Sequence, residues 1–282
     1  MTTKFQWREM LATVVIWSVA IAVSGVLVWI LADVFWQGAQ EISWRFLTSN
    51  PVNAGREGGI LPILISTALI LGVCLAVSVP LGVATAILLT EFVKPGSWFG
   101  YGVGMSLDIL AGAPSIVFGL FGNVFFAEVL GLGLSVVSGG LTLACMVLPI
   151  LIRATQQGLK SVPDEYRQAA AALGISRLAV LRRVLLAAAM PGIAAGLLLG
   201  IGRAIAETAA LIFTSGYVTR MPDSLFDSGR TLSVHIYDLA LNVPGGEAHA
   251  YATALVLVLI ILLLNAGVFA LAMTFRRSWL SG

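Results

Sequence analysis

The sequence has 282 residues, of which 59% are apolar and only 11% are charged. Soluble domains are about 45–50% apolar and about 25% charged, so this chain has too few charges to cover a soluble surface. The same composition excludes an intrinsically disordered chain, and a net charge of +2 does not indicate a nucleic-acid-binding protein. The chain is therefore predicted to be an all-α integral membrane protein.

Six apolar segments are each predicted to cross the membrane as a helix. In chain order they are Leu11–Ala32, Ile60–Thr90, Met105–Phe126, Leu141–Ile152, Val184–Phe213 and Tyr251–Phe275. The first would be about 33 Å long as a helix, which is enough for one crossing. It is predicted to be retained, because it is too long for a signal-peptide core. Pro149 is predicted to interrupt the fourth crossing, and the Gly- and Ser-rich segment Gly131–Gly140 is predicted to be a turn or a loosely packed entry.

No separate soluble domain is predicted. Residues 1–59 are predicted to form an N-terminal transmembrane helix with an external loop, and residues 60–282 a core of five transmembrane helices with a cytoplasmic loop at 153–183. Lys and Arg accumulate in cytoplasmic loops, and with an even number of spans eleven of them fall on the side of both termini. These are Lys4, Arg8, Lys94, Arg153, Lys160, Arg167, Arg177, Arg182, Arg183, Arg276 and Arg277, against Arg45, Arg56, Arg220 and Arg230 on the other side. Both termini are therefore predicted to be cytoplasmic.

The cysteines and histidines do not indicate a metal site. Cys74 and Cys145 lie in apolar segments without CxxC spacing, which favours two buried packing residues over a disulfide or zinc ligands. His235 and His249 fall in the external loop Thr214–Ala250 and are predicted to be solvated. No histidine lies in a predicted span, which argues against an intramembrane hydrolase, since that class needs a nucleophile with a base inside the membrane.

The cytoplasmic loop contains a helix–glycine–helix pattern. Segment Pro163–Gly174 begins with a proline and two acids, continues with alanines and ends at a glycine, as helices often do. Ser176 is predicted to cap a second helix that continues through Arg182. The small side chains of Ala169–Ala171 would let another protein surface approach closely. The alternative interpretation is an ordinary connecting hairpin.

The fifth span combines small residues with two charges. Glycines recur at every fourth position, a spacing that lets helices approach closely, at Gly192, Gly196 and Gly200. Arg203 and Glu207 are predicted to continue this stripe on the inward face of one helix. An arginine near mid-membrane costs at least about 2.5–3.5 kcal/mol, so it requires a specific partner. That partner is either Glu207, in the less favourable Arg-before-Glu order, or an anion bound by the planar guanidinium, with Thr208 adding a hydroxyl.

The third span contains the segment Leu110–Gly122, in which Pro114 and Ser115 interrupt an apolar run. The proline frees a backbone carbonyl, and the serine could satisfy local groups or line a polar path. A simple packing kink is the alternative. The sequence does not decide whether Asp108 lies at the cytoplasmic interface or faces the pathway.

The cytoplasmic loop resembles the EAA loop of ABC-importer permeases. Gln168-Ala-Ala, three residues and Gly174, followed nine residues later by Val184-x-Leu186, preserves the spacing of that family motif. Gln168 stands where the motif has Glu, and Glu165 lies one turn earlier. The resemblance implies a type I (MetI-like) ABC importer permease fold, with Glu165, Gln168, Ala169, Ala170, Gly174 and Leu186 in a loop that docks on a separate ATP-binding subunit. The chain itself has no GxxxxGK[ST] phosphate-binding loop, so ATP and Mg²⁺ are expected on that subunit and no cofactor or metal in this chain.

Further segments are similar to the PstA group of phosphate-importer permeases. They are Arg203–Gly216, Leu110–Gly122 and Leu232–Tyr237. The resemblance implies a permease subunit of a phosphate importer in a bacterial cytoplasmic (inner) membrane. Its implied partners are a PstC-like sister permease, a dimer of PstB-like ATP-binding subunits and an external PstS-like phosphate-binding protein, with Arg203, Glu207, Thr208 and Ser115 along the substrate pathway.

Two other transport functions remain open from the sequence. One is an ABC permease for another anion, such as phosphonate, sulfate or molybdate, whose fold and coupling would be the same. The other is a stand-alone secondary transporter, which would show paired broken helices with intramembrane acids in two halves. The sequence shows one Arg–Glu pair and a docking loop instead.

Overall fold

The apolar segments of the sequence form helices in the computed structural model, which describes residues 3–94 and 96–280. The helices are α1 (Thr3–Glu41), α2 (Trp44–Thr48), α3 (Leu61–Ile87), α4 (Trp98–Gly112), α5 (Ser115–Gly122), α6 (Val136–Lys160), α7 (Asp164–Ala172), α8 (Arg177–Val180), α9 (Leu186–Ala206), α10 (Ala209–Thr214), α11 (Leu232–Leu241) and α12 (Glu247–Leu280). Wider π-helical turns follow α3, α5 and α8 at Leu88–Phe92, Asn123–Val129 and Leu181–Leu185. The side chains of Lys4, Arg8, Arg276 and Arg277 lie outside the described part.

The number of apolar helices agrees with the predicted six spans. In the two described ranges, five helical runs are long and apolar enough to cross a membrane, and the bent pair α4–α5 makes a sixth if it counts as one span. We call the end of the bundle that carries α7 the α7 end, and the opposite end, which carries α11, the α11 end.

The predicted third span is a broken helix. α4 and α5 meet at an angle of 103°, because Ala113 and Pro114 both have extended backbone angles. Proline has no N–H to continue the ladder and disfavours helical geometry in the residue before it. Pro114 therefore ends one helix and begins another, a larger change than a packing kink.

The fourth crossing is longer than predicted, and the predicted interruption at Pro149 is wrong. α6 begins after Ser135, whose hydroxyl accepts a hydrogen bond from Ser138 N–H, and it continues through Pro149 to Lys160. α6 lies between α3 and α9 and is the most buried of the spanning helices. Such neighbours and local adjustments allow proline to be tolerated within a membrane helix.

The glycine stripe of α9 makes the predicted close helix approach, and the helix it meets is α6. A Cβ added at Gly192 would lie 2.5 Å from the Cα of Gly158, and one added at Gly196 would lie 2.7 Å from the Cβ of Ala154. At Gly200 the nearest atom would be Cγ1 of Val147, at 2.7 Å. The two backbones therefore approach as closely as small residues permit.

α1 lies at the edge of the bundle and packs mainly along α12. Its Gly38 permits this contact, because a Cβ there would lie 2.6 Å from the carbonyl oxygen of Tyr251 and 2.9 Å from the Cβ of Leu255. The side chains in the middle of α1 are exposed. This helix therefore offers most of its surface to lipid or to another subunit.

The α11 end is more ordered than a solvated loop. A short hairpin pairs Pro51–Val52 (β1) with Glu57–Gly58 (β2), and α11 lies within the segment predicted as loop. The prediction of a solvated His235 is wrong, because its side chain on α11 is fully buried. His249, on α12, is half-buried with its ring edge-on to Phe46, the two ring centroids 5.4 Å apart.

His235 is buried beside an ion pair. Arg230 Nη1 lies 2.8 Å from Asp238 Oδ2 and 3.4 Å from His235 Nδ1. Arginine donates hydrogen bonds only, so Nδ1 acts as the acceptor and the neutral ring carries its proton on Nε2. Burial, and secondly the charge of Arg230, lower the pKa of His235 to about 3.

Candidate functional site

The predicted fifth span is broken at the charged residues themselves. α9 ends at Ala206, Glu207 is extended, and α10 begins at Ala209. The prediction that Arg203 and Glu207 share one inward helix face is therefore wrong. The glycine stripe continues instead to the buried Ala204, while Arg203 lies beside it and is exposed.

Glu207 supports the backbone at this break. Its Oε1 accepts a hydrogen bond from Ala210 N–H at 3.2 Å, and its carbonyl oxygen accepts one from the Ser233 hydroxyl at 2.5 Å. The first bond caps α10, whose initial N–H groups have no partner within the helix. The second fixes the break to α11, which is itself joined to α3 because Leu232 N–H donates to the Thr67 hydroxyl at 3.0 Å.

Arg203 has no protein partner in the part of the chain that the structure describes. The ion pairs there involve other residues, and no hydrogen bond joins the guanidinium to Glu207. The ion pair between Arg203 and Glu207 that the sequence left open is thus not formed. An exposed guanidinium within an apolar helix is available to an anion or to another subunit.

A second helix break lies beside the first. A Cβ at Gly119 of α5 would lie 2.8 Å from the Cα of Ala210, and one at Gly122 would lie 2.9 Å from Cγ2 of Thr214. α5 and α10 therefore run side by side in the same direction. In this register the first residue of α5, Ser115, lies level with the break before α10.

The polar groups at these two breaks are partly accessible. Ser115, Glu207 and Thr208 are half-buried, and no side chain caps the start of α5. Irregular backbone at membrane depth is tolerated where it lines a cavity or is covered by protein. The structure thus brings Ser115, Glu207 and Thr208 to one level of the bundle, with Arg203 one helical turn before the break.

The second candidate region, at the α7 end, has the predicted helix–glycine–helix form. α7 follows Pro163, and Gly174 beyond its end has a positive φ of 69°, which glycine adopts without steric cost. Ser176 caps α8, its hydroxyl accepting a hydrogen bond from Ala179 N–H at 3.3 Å. α8 does not end as a separate helix near Arg182, because a π-helical turn joins it to α9.

Only part of the predicted docking set is on the outer surface. Glu165, Gln168, Ala169 and Gly174 are exposed. Ala170 is buried against Leu159 and Leu181 of the same chain, so the prediction that another surface could reach it is wrong. Leu186 is half-buried at the start of α9. The exposed face also includes Leu173, 76% accessible, together with Tyr166, Ile175 and Leu178.

An ion pair that sequence reasoning missed fixes α7 to the bundle. Arg167 Nη2 lies 2.7 Å from Glu91 Oε1, and its Nε lies 3.2 Å from Oε2. The guanidinium also donates to Asp164 and to the carbonyl oxygens of Val162 and Leu159. Hydrogen bonding to Glu91 raises the pKa of Arg167. The sequence does show that Glu91 follows a long apolar segment, which indicates a carboxylate that needs a partner. Spacing along the chain does not identify that partner as Arg167.

Asp108, left open from the sequence, pairs with an arginine of α6. Its Oδ1 lies 2.6 Å from Arg153 Nη2, which also donates to the carbonyl oxygen of Gly104 at 2.9 Å. This contact joins α4 to α6 in the half of the bundle nearer α7. Asp108 is therefore not at the level of the two helix breaks.

Sequence comparisons agree with this architecture. Residues 78–279 match the family described as binding-protein-dependent transport system inner membrane component. The chain is 30% identical to the probable ABC transporter permease protein YqgI of Bacillus subtilis over 257 residues, 86% of this chain and 87% of that protein. It is 34% identical to the phosphate transport system permease protein PstA 1 of Mycobacterium tuberculosis over 202 residues, 68% of this chain and 64% of that one.

Structural comparisons support the same fold. A chain of a bacterial alginate ABC transporter, solved in complex with an alginate pentasaccharide-bound periplasmic protein, superposes with a TM-score of 0.66 at 13% identity, covering 97% of this chain and 96% of that one. A chain of the inward-facing MetNI methionine ABC transporter gives 0.60 at 16% identity, covering 77% and 94%. The predicted MetI-like permease fold is thus confirmed, and the chain belongs to the family of binding-protein-dependent transport system inner membrane components, the membrane-embedded permeases of ABC importers.

Proposed function

We propose that this chain is one of two transmembrane subunits of an ATP-driven importer of inorganic phosphate. The observation that carries the proposal is Arg203, an exposed guanidinium without a described partner beside a helix break. It lies in a chain that is 34% identical to a phosphate transport permease. A guanidinium offers a planar set of donors that matches phosphate oxygens.

In this proposal the two helix breaks form this chain's half of the translocation pathway. Arg203 binds the anion transiently, while Ser115 and Thr208 contribute hydroxyls. Glu207 caps α10 and holds the break to α11. A single arginine suits passage better than storage, because transport requires binding that is weak enough for release.

Coupling to ATP hydrolysis runs through α7. Its exposed face, with Glu165, Gln168 and Ala169, docks on a separate ATP-binding subunit, which binds ATP and Mg²⁺. When the ATP-binding dimer closes, movement of α7 passes to α3 through the Arg167–Glu91 ion pair. Ala170 is also buried in one cluster with Leu181 and Leu185, which lie in the turn that leads into α9. Through this cluster the same movement passes along α9 toward Arg203.

The remaining partners complete the transporter. A PstC-like permease supplies the other half of the pathway, PstB-like subunits supply the ATPase dimer, and a PstS-like protein delivers phosphate to the α11 end. The α7 end and both termini lie in the cytoplasm of a bacterial cell, since the basic loops concentrate there.

The test is to reconstitute the chain in liposomes with its sister permease, ATP-binding subunits and binding protein, and to measure ATP hydrolysis. We expect phosphate-loaded binding protein to stimulate hydrolysis several-fold, and proteins loaded with phosphonate, sulfate or molybdate to have no effect. Stimulation by one of those anions instead of phosphate would replace the proposed cargo. Phosphate uptake that follows an ion gradient and needs no ATP would identify a secondary transporter.

A further inference from the structure

A large cavity lies at the α7 end, apart from the two helix breaks. Its volume is about 890 Å³, within the usual range of small-molecule sites. It is enclosed by the segment between α3 and α4, the last turns of α6, and the helices α7 and α8.

The lining is strongly basic. Five cations face two carboxylates, the cations being Lys94, Arg153, Lys160, Arg167 and Arg177, and the carboxylates Glu91 and Asp164. Both carboxylates are already bound to one cation, Arg167. Arg153 is paired with Asp108.

Three of the cations are left free to bind a ligand. The ammonium groups of Lys94 and Lys160 and the guanidinium of Arg177 form no ion pair or hydrogen bond with any residue in 3–94 or 96–280. Lys160 ends α6 and Arg177 begins α8, so two separate elements place positive charge at one cavity. A compact ammonium and a planar guanidinium together suit a phosphate group, which accepts several charge-assisted hydrogen bonds.

Aromatic rings lie on α4 beside the basic lining. Tyr101 lines the cavity, and Trp98, three positions earlier at the start of α4, is 88% exposed. Exposed Trp and Tyr are typical of the boundary between hydrocarbon and headgroups. We therefore expect this basic cavity to lie near the level of lipid phosphates, where dissolved anions can also reach it.

We propose that this cavity binds a phosphate group through Lys160 and Arg177. The group is carried either by an anionic lipid of the adjacent leaflet or by free inorganic phosphate. The proposal concerns a site distinct from Arg203 and does not depend on which anion is transported. Because Gln168 and Ala171 of α7 line the same cavity, the bound group would share the cavity with the helix that docks on the ATPase in the proposed function.

The experiment compares two double variants of the complete transporter. Lys160→Gln with Arg177→Gln removes two of the three free cations of the cavity and leaves Lys94 in place. Arg182→Gln with Arg183→Gln removes two exposed cations of the following turn that do not line it. Both pairs lower the charge equally in the same region, and copurification of all subunits verifies that each variant assembles.

Binding is measured in two arms. The lipid arm uses vesicles of phosphatidylglycerol and phosphatidylcholine and counts retained phosphatidylglycerol by native mass spectrometry. The phosphate arm uses phosphatidylcholine nanodiscs without binding protein and measures equilibrium binding of radiolabelled inorganic phosphate.

We expect the cavity variant to lose at least tenfold in affinity in one arm, with the control variant unchanged, and that arm identifies the source of the phosphate group. Equal binding by the two variants in both arms, or no binding by the unmodified transporter in either, would overturn the proposal.

Discussion

At the scale of single residues, Arg203 is the most unusual group in the transmembrane region. It lies on a helix whose neighbouring face is packed with glycines, yet its guanidinium has no partner among the described residues. A cation in an apolar helix persists where function requires it. In the proposed role as a transient phosphate ligand, the positive charge and the planar set of donors each contribute to binding, and the two contributions can be tested with different substitutions.

Arg203→Gln is expected to abolish phosphate uptake while leaving assembly of the complex intact, because it removes the charge but keeps a long polar side chain. Arg203→Lys keeps the charge and loses the planar donor fork, so uptake should need roughly tenfold more phosphate-loaded binding protein. Uptake is measured in proteoliposomes, with Arg220→Gln in an exposed loop as the control. Normal uptake by Arg203→Gln would exclude the proposed pathway residue.

His235 should make the stability of the α11 end depend on pH. Its pKa is lowered from 6.5 to about 3 in the folded protein, so between these values the unfolded chain binds a proton that the folded chain does not. The free energy of unfolding should therefore fall as pH drops below about 6.5, by about 1.4 kcal/mol per pH unit.

His235→Gln should flatten this slope. The measurement is denaturant unfolding of the purified protein in detergent between pH 4.5 and 7.5. His249→Gln, a half-buried neighbour, is the control and should keep the slope of the unmodified protein. An unchanged slope in His235→Gln would contradict the assignment of a neutral buried ring.

At the scale of elements, α7 has two faces with different tasks. Ala170 is packed inside the chain, whereas Leu173 is almost fully exposed. Substitutions on the two faces should therefore separate docking from folding.

Leu173→Glu is expected to prevent copurification of the ATP-binding subunit without lowering the thermal stability of the permease. Ala170→Glu should instead destabilise the permease by several kcal/mol, since it places a charge among apolar side chains. Copurification and thermal unfolding are measured on both. Retained ATPase in Leu173→Glu would show that another face of the loop docks.

The packing of α9 on α6 offers a second element-level test. Gly192→Val should destabilise the protein by about 1–3 kcal/mol or more, because a Cβ there meets the backbone of α6 at 2.5 Å. Gly202→Val introduces the same helix penalty at a position with no neighbour within 4 Å. The difference in thermal stability between the two variants measures the contribution of the α6–α9 packing at Gly192. Equal destabilisation would mean that the close approach of the helices is unimportant.

At the scale of the whole molecule, charge should determine orientation. Basic residues concentrate toward the α7 end, which predicts that this end faces the cytoplasm. Single-cysteine variants test this in cells after Cys74 and Cys145 are replaced by alanine. Ser224→Cys, in an exposed loop at the α11 end, should react with an impermeant maleimide in intact cells. Ser161→Cys, exposed between α6 and α7, should react only after lysis, and the reverse pattern would contradict the orientation.

Much of this architecture follows from sequence periodicity and composition. The apolar segments predict the spanning helices, and the order of proline, acids, alanines and glycine predicts α7 with its glycine end. The glycine spacing predicts a close approach of α9 to another helix, which the structure shows to be α6. These features are local, because each depends on residues that are close together in the chain.

The features that sequence reasoning missed depend on tertiary contacts. The break at Glu207 has no proline to mark it, and it depends on Ser233, 26 positions away, to hold its carbonyl. Glu91 and Arg167 are 76 residues apart, and His235 is buried because Gly55 leaves room for its ring. No helical or strand period relates such residues, so the site could be predicted by its residue types but not by its geometry.

The two helix breaks have a consequence for the turnover of the unassembled chain in the cell. Peptide groups released from a helix at membrane depth cost several kcal/mol each when they face acyl chains. At the breaks at 113–114 and 207–208 several of these groups are bonded within the chain, since Glu207 N–H donates to Ala204 and the Glu207 carbonyl accepts from Ser233. In the proposed importer a second permease would cover the sides that remain open, so we expect a copy of this chain made without that partner to be degraded faster in the cell.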